Sequence, residues 1–430
     1  MFGLDDWIVR LGGERGVRGN GQTYSATTAR EGARPGMSEL LQVAAALTHA
    51  AGEGQASVLA TVVRTEGSTY RRIGARLVAL ADGSHVGSVS AGCMEADIVL
   101  RAAGVRSSGT AELMTYDTRS PDDLIWGSGS SCGGVTELLL EPLDPARALA
   151  KAERFRTIAE SCHRGVLATV IRAAGLPLRS GDQAVLPHAT AGLVGLEGLP
   201  APLRAIVQSE ACHQLRASTS MAVPHVWGEH TVDIAYEVWS PRIRLCVCGA
   251  SSDAAPLVAV AKWLGWHVSL IDHRPAVLSP EQWPEVNCTL VRSADDVIAA
   301  ARRIECDAAV IMNHHYERDL HFLGAWLGSE VPFIGILGPR RRTAQMLATL
   351  AGSEVPLERV EHRIHAPVGL DLGGETAEEI ALSIVAEIRA SVSGRAGGPL
   401  RNRHAPIHAR PRASANVSAP SPKEIHVRAG

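Results

Sequence analysis

Aromatic side chains are scarce in this chain. They make up 4% of its 430 residues, with 8 Trp, 5 Tyr and 4 Phe. A stacking platform for single-stranded nucleic acid needs aromatic faces for successive bases, so this scarcity argues against one. Positive charge is not in excess either. The formal net charge of −3 gives no whole-protein attraction to nucleic acid or to an anionic membrane surface. Long apolar runs are missing, and none approaches the ~20 residues of a membrane helix. The opening stretch MFGLDDWIVRLGGERG carries acids early and lacks the apolar centre of a secretory signal. The eight cysteines are scattered, unlike the dense framework of a small secreted domain. A reducing cytoplasm with free thiols is the compartment this composition implies. What remains is ordinary globular material, 46% hydrophobic and 20% charged, long enough for two or three domains.

The expected fold class is α/β: an N-terminal α+β domain with an internal strand–turn–strand repeat, followed by a C-terminal Rossmann-like parallel-sheet domain. Residues 1–37 are rich in Gly, Arg, Thr and Ser without a sustained period. They read as a disordered extension, with Met37 a candidate natural start. Residues 38–145 form the first domain, opening with Ser38 as N-cap of the amphipathic segment ELLQVAAALTHAAGEG. The β-branched runs ASVLATVVRT and ARLVALADGSHVGSVS follow, joined by the turn EGSTYRRIG and punctuated by Asp82-Gly83. MEADIVLRAAG reads as a short helix ending at Gly104, then come the strand ELMTYD, the loop TRSPDDLIWGSGSSCGG and the strand VTELLLEPL.

Residues 146–241 are read as a second α+β unit and connector. The run VLATVVR at Val58 returns as VLATVIR at Val166, and Gly67 returns as Gly175 at the same offset of 108. The second copy has no counterpart of the SAGC stretch, so the first is expected to carry site chemistry and the second to complete a sheet. Residues 242–393 alternate apolar strands with helical segments, the signature of a parallel sheet. Thr376 and Glu379 there have capping-box spacing. Residues 394–430 carry seven Lys or Arg against one Glu, a net +6 that leaves −9 on the rest of the chain. They read as a disordered, solvated basic tail.

The chemistry-bearing residues fall on loops. Cys93, in SVSAGCMEAD, sits between an apolar run and an acidic helix-like segment. It reads as a ligand, a nucleophile, a redox thiol or a small residue filling a corner. Gly92 precedes it, and a helix N-terminus follows that would lower a thiol pKa. Cys132 lies on a second glycine-rich loop with Gly129 and Gly133, where successive amides form anion-binding nests. Zinc is disfavoured, since two further ligands are not apparent. Cys246 and Cys248 alternate with apolar residues as buried small hydrophobes, and Cys162, Cys212, Cys288 and Cys306 have no partner at metal-site spacing.

In the C-terminal domain Gly249 opens a degenerate dinucleotide loop, with Ser251 at the middle glycine and Ala254 at the last. Asp272, 23 residues on, stands about where an acid holds a ribose hydroxyl. This weakens ordinary NAD(P) redox chemistry but leaves helix-start amides for an anion. His314 and His315 follow one strand, either as ligands or as a solvated pair. Arg340, Arg341 and Arg342 follow another, as a phosphate clamp or a solvated basic patch. His365 and Asp371 lie on a glycine-rich loop before the last helix.

The stretch TEGSTYRRIGARLVALADGSHVGSVSAGCMEADI resembles the N-terminal signature of the XdhC/CoxI family, accessory proteins of xanthine dehydrogenase and related molybdenum hydroxylases. WGSGSSCGGVTELLLEP, GASSDAAPL, GWHVSLIDHRP, VIMNHHYERDL, PFIGILGPRRRT and IHAPVGLDLGGETAEEIALSI resemble its later motifs in order, covering residues 38–391. The chain departs from the family pattern at Ser251, where the Rossmann loop usually reads GAG, and at Ala91, where the cysteine corner usually reads SGGC.

The resemblance implies a cytoplasmic, non-catalytic chaperone. It would bind molybdenum cofactor, as molybdopterin or its cytosine dinucleotide, support its sulfuration with a cysteine desulfurase, and insert it into an apo molybdenum hydroxylase of the xanthine or CO dehydrogenase type. A homodimer is part of the same expectation. Cys93 and Cys132 would then lie near the metal or its sulfur, since thiolates are soft ligands. The arginines would take phosphate, alongside Gly249, Asp272, His314 and His365. An NAD(P)-dependent oxidoreductase and a pure docking scaffold are the competing readings.

Overall fold

The computed structural model describes residues 39–90, 92–119, 133–351 and 361–404. The described chain divides into two compact units, one ending at Arg156 and the other beginning at Thr157. Among its helices none is long and apolar enough to cross a membrane.

The first unit runs α1 (Glu39–Gly52), β1 (Ser57–Gly67), β2 (Arg76–Ala79), β3 (His85–Gly87), α2 (Glu95–Ser108), β4 (Glu112–Asp117) and β5 (Gly134–Leu143). The strands form one antiparallel sheet in the order β3-β2-β1-β5-β4. Val58, Ala60 and Val62 alternate along β1 to one face, where Ile98, Ala102 and Val105 of α2 meet them. Val58 and Ile98 are fully buried, and each such side chain contributes roughly 1.5–3 kcal/mol. The helix does not stop at Gly104. It runs to Ser108 and ends on Gly109 at φ 65°, whose N–H bonds Val105 O at 3.0 Å. A glycine inside a helix costs only ~1 kcal/mol, and burying Val105 outweighs that.

The second unit receives the end of α3 (Pro145–Glu160). It continues with β6 (Gly165–Ala174), β7 (Gln183–Leu186), β8 (Val194–Gly195), α4 (Ala201–Ala217), β9 (Met221–Trp227) and β10 (His230–Trp239). The strand order β8-β7-β6-β10-β9 repeats that of the first sheet strand for strand. Register confirms the correspondence: Val63 on β1 and Ile171 on β6 are each the extra residue of a bulge. Gly67 and Gly175 take φ of 68° and 70°. The cross-strand pairs Arg64–Glu137, 3.4 Å, and Arg172–Asp233, 3.2 Å, also correspond. The echo in sequence is therefore a whole αβββαββ unit. Each copy closes its own five-stranded sheet, where the sequence had pointed to a second copy completing a sheet.

The remaining elements are β11 (Arg244–Cys248), α5 (Ala254–Trp263), β12 (His267–Asp272), β13 (Asn287–Leu290), α6 (Ala294–Arg303), β14 (Ala308–Ile311), α7 (Tyr316–Leu327), β15 (Ile334–Ile336), α8 (Arg340–Leu350), β16 (Ile364–His365) and α9 (Ala377–Val392). All six strands are parallel in the order β13-β12-β11-β14-β15-β16, the Rossmann order with its switch point between β11 and β14. Along β11, Leu245 and Val247 face α5 and α9, while Cys246 and Cys248 face α6, α7 and α8. Two-sided burial explains why β11 reads as a continuous apolar run. The capping box of Thr376 and Glu379 is present at the start of α9.

Candidate functional site

The corner that carries Cys93 is built by one carboxylate. Glu95, in the first turn of α2, is 6% exposed. Its Oε1 accepts the Ser88 hydroxyl at 2.9 Å, the Ser90 amide at 2.9 Å and the Val89 amide at 3.2 Å. Its Oε2 accepts the Ser90 hydroxyl and the Met94 amide, the latter at 3.2 Å. Ser90 Oγ in turn accepts the Gly92 and Met94 amides, both at 3.1 Å. Burial pushes the Glu95 carboxyl up, but the bonds from Ser90 and Ser88 outweigh it and hold its pKa below the ordinary value.

The thiol itself is exposed, one residue after Gly92 at φ 105°. The amides expected from sequence to attract an anion at this helix start are thus largely engaged by the chain's own Glu95. Sequence reading passed over Glu95 and Ser90; the Cys-x-Glu spacing before a helix was the available signal. Cys132 and Gly129 lie outside the described residues, as does Ser38. Gly133, at φ 60°, ends the second loop and stands against Gly67, where an added Cβ would come 2.8 Å from Gly133 O.

The other sequence-chosen residues gather in the second unit at the carboxyl ends of β11, β12, β14, β15 and β16. Gly249, at φ 115°, ends β11, and a Cβ there would lie 2.8 Å from Met312 O and 2.9 Å from Asn313 N. Its glycine is required by the approach of the β14 loop. Asp272 is fully buried at the end of β12 and has another task than holding a ribose. It accepts the Ala250 amide at 2.7 Å and three Arg274 donors at 2.8–3.0 Å, with His273 Nδ1 at 3.1 Å. Burial alone would raise its pKa; Arg274 and the Ala250 amide bring it to about 2. Both oxygens are occupied by the protein, a contact network that sequence spacing does not reveal.

His314 adopts φ 57° and its Nε2 lies 3.2 Å from Asp253 Oδ2. Of the three arginines on the first turn of α8, Arg340 and Arg341 are exposed. Arg342 is ion-paired to the fully buried Asp319, which also accepts the Asn313 amide and side chain. The triple clamp expected from sequence is therefore two outward guanidiniums and one that is locked inward. His365 stacks on Phe333 with ring centroids 3.8 Å apart, and its Nδ1 meets Glu387 Oε1 at 2.8 Å.

Three buried side-chain oxygens that follow the carboxyl ends of β11, β14 and β15 have no hydrogen-bond partner among the described residues: Ser251 Oγ, Asn313 Oδ1 and, on α8, Thr343 Oγ1. Buried polar atoms are almost always satisfied, so this edge offers acceptors to a polar ligand. On the face covered by α6, α7 and α8, contacts with Cys248 and Cys306, together with burial, hold the Cys246 thiol well above the ordinary range, which makes it inert. Among the described residues no three His, Cys, Asp or Glu side chains are placed to hold a metal ion.

Two family profiles match: the XdhC and CoxI family over residues 50–117, and the XdhC Rossmann domain over residues 245–388. A Bacillus subtilis protein named as a probable subunit of xanthine dehydrogenase is 30% identical over 332 residues, 77% of this chain and 92% of the relative. The chain belongs to the XdhC and CoxI family.

The XdhC resemblance extends over nearly the whole described chain. The Escherichia coli molybdenum cofactor insertion chaperone PaoD is 26% identical over 338 residues, 78% of this chain and 83% of that one. A Bacillus halodurans crystal structure, described as a xanthine dehydrogenase, superposes with a TM-score of 0.64 at 28% identity, covering 84% of this chain and 97% of that one. The XdhC and CoxI profile contains Cys93 and Glu95, and the XdhC Rossmann profile contains every C-terminal residue discussed above.

Proposed function

We propose that this XdhC-family chain is a maturation factor that carries molybdenum cofactor as cargo and inserts it into a xanthine dehydrogenase or CO dehydrogenase-type hydroxylase. The observation that carries the reading is the exposed Cys93 thiol on a corner stapled by Glu95, inside the segment matching the family. A soft sulfur donor suits molybdenum and its terminal sulfur, and Cys132 is assigned the same task. The residues of the second unit fit the organic part of the cargo. Arg340 and Arg341 present guanidiniums for phosphate, and the unpartnered oxygens of Ser251, Asn313 and Thr343 suit the N–H groups of a pterin. Gly249, Asp272, Arg342, His314 and His365 shape that edge. The PaoD relative's name supports insertion.

Sulfuration assisted by a cysteine desulfurase, and assembly as a homodimer, complete the proposal. NAD(P) chemistry is disfavoured because Asp272, the residue that would hold a ribose, is occupied by Ala250 and Arg274.

The test is cofactor retention. The chain is purified from cells making the cofactor, and the fluorescent oxidised pterin it releases is measured by mass spectrometry. Wild type is expected to release pterin near stoichiometrically, and the Cys93→Ala/Cys132→Ala variant at least tenfold less. Undiminished retention in the double variant removes the ligand role of the thiols. Saturable NAD(H) or NADP(H) binding without any pterin favours the oxidoreductase reading instead.

A further inference from the structure

A cleft of about 410 Å³ opens between the first turns of α6 and α7. His273 follows β12, Arg292 follows β13 and His315 follows β14, so the cleft lies outside the carboxyl ends of the adjacent strands β13 and β12 and of β14, which lies beyond β11. That is where open parallel sheets place their ligands. None of the residues assigned above to the cofactor lines it. Its volume falls within the ~300–1,000 Å³ of small-molecule sites.

The lining has two characters. His273, Arg292, His315, Arg318 and His321 supply five basic side chains against the single acid Glu317. Arg318 has no carboxylate partner among the described residues. Arg292 acts on Asp296, which is held in the capping box of α6. Burial, opposed by Asp272 and aided by Arg318, Arg274 and His315, keeps the His273 ring below its ordinary pKa. The guanidiniums of Arg292 and Arg318 are therefore the standing positive charges of the cleft. The first turn of α7 adds amides without a side-chain cap. The other wall is apolar: Val297 and Phe322 line it and are 6% and 3% exposed. A small inorganic anion would leave that wall unused. A phosphate ester carrying a flat, uncharged ring uses both.

We propose that this cleft binds a nucleoside monophosphate group, with Arg292 and Arg318 on the phosphate and the base toward Val297 and Phe322. Guanidiniums grip phosphate bidentately, so exchange for lysine keeps the charge and loses the fork. The inference goes beyond the carrier function and stands on the cleft's own chemistry, since its test needs no pterin.

Full-length protein is titrated calorimetrically with CMP, AMP, GMP, UMP and inorganic phosphate at constant ionic strength. At least one mononucleotide is expected to bind saturably, one per chain, at least tenfold tighter than inorganic phosphate. Arg292→Ala/Arg318→Ala is expected to weaken it at least tenfold, with unchanged circular dichroism and thermal midpoint. If that variant fails to fold, Arg292→Lys/Arg318→Lys serves, with an expected loss of at least threefold. Equal weak binding of all mononucleotides and phosphate means screened surface charge only and overturns the proposal. Unchanged affinity in the folded arginine variants overturns it as well. Pterin loss in the cysteine variants with nucleotide binding intact separates this site from the carrier function.

Discussion

The Glu95 carboxylate accepts the Ser90 amide at 2.9 Å, closing the corner on which Cys93 stands. Removing it leaves the amides of Val89 and Ser90 short of an acceptor in a buried place, while the Met94 amide keeps Ser90 Oγ. Each such loss costs about 1–3 kcal/mol. Glu95→Ala is expected to destabilise by about 2–4 kcal/mol in urea unfolding and to raise the rate at which Cys93 reacts with a thiol reagent. Glu95→Gln, which keeps one acceptor oxygen, falls between it and wild type. Equal stability of Glu95→Ala and wild type would count against the staple.

Acid sensitivity follows from Asp272. Its native pKa of about 2 lies below the ~3.9 of an unfolded Asp. A depressed native value means the stabilisation is complete above about pH 4 and is lost as pH falls toward 2. Asp272→Asn is expected to flatten the pH dependence of stability in that window and to lower stability at pH 7. Chemical denaturation from pH 2 to 7 tests this, and parallel curves for the two proteins would refute it.

The three arginines of α8 are expected to separate. Arg342→Ala strands the buried Asp319 charge and should cost about 3 kcal/mol, partly cushioned by Asn313. Arg340→Ala and Arg341→Ala should stay within about 0.5 kcal/mol, as exposed sites do. Thermal melts of the three single variants, read beside pterin retention, distinguish an inward support from outward contacts.

The duplicated sheet makes a paired prediction. A Cβ at Gly87, φ 92°, would lie 2.3 Å from Arg76 O, and one at Gly195, φ 104°, would lie 2.5 Å from Gln183 O. Both positions need the left-handed region and a bare backbone. Gly87→Ala and Gly195→Ala should each lower stability by more than about 2 kcal/mol. Gly92→Ala, with open space around it, should cost less, because only its φ is strained.

Much of the site lies outside what local sequence expresses. Cys93, Gly249 and the α8 arginines were visible because glycines, thiols and charge runs mark loops by composition. The tasks of Asp272 and Arg342 were not, because their partners Ala250 and Asp319 lie 22 and 23 residues away. The cleft of Arg292 and Arg318 was hidden for the same reason, since its residues follow three different strands.

Sequence alone determined the architecture: the apolar runs of β1 and β11 specify strands buried on both faces, and order along the chain the parallel layer. Periodicity is local, so it survives without coordinates. The extent of the repeat, the continuation of α2 past Gly104 and the partners of each charge were decided by tertiary structure. Burial and hydrogen bonding depend on which distant segments meet, and only the folded chain brings Ala250 onto Asp272, Asp319 against Arg342 and Phe322 beside the basic cleft.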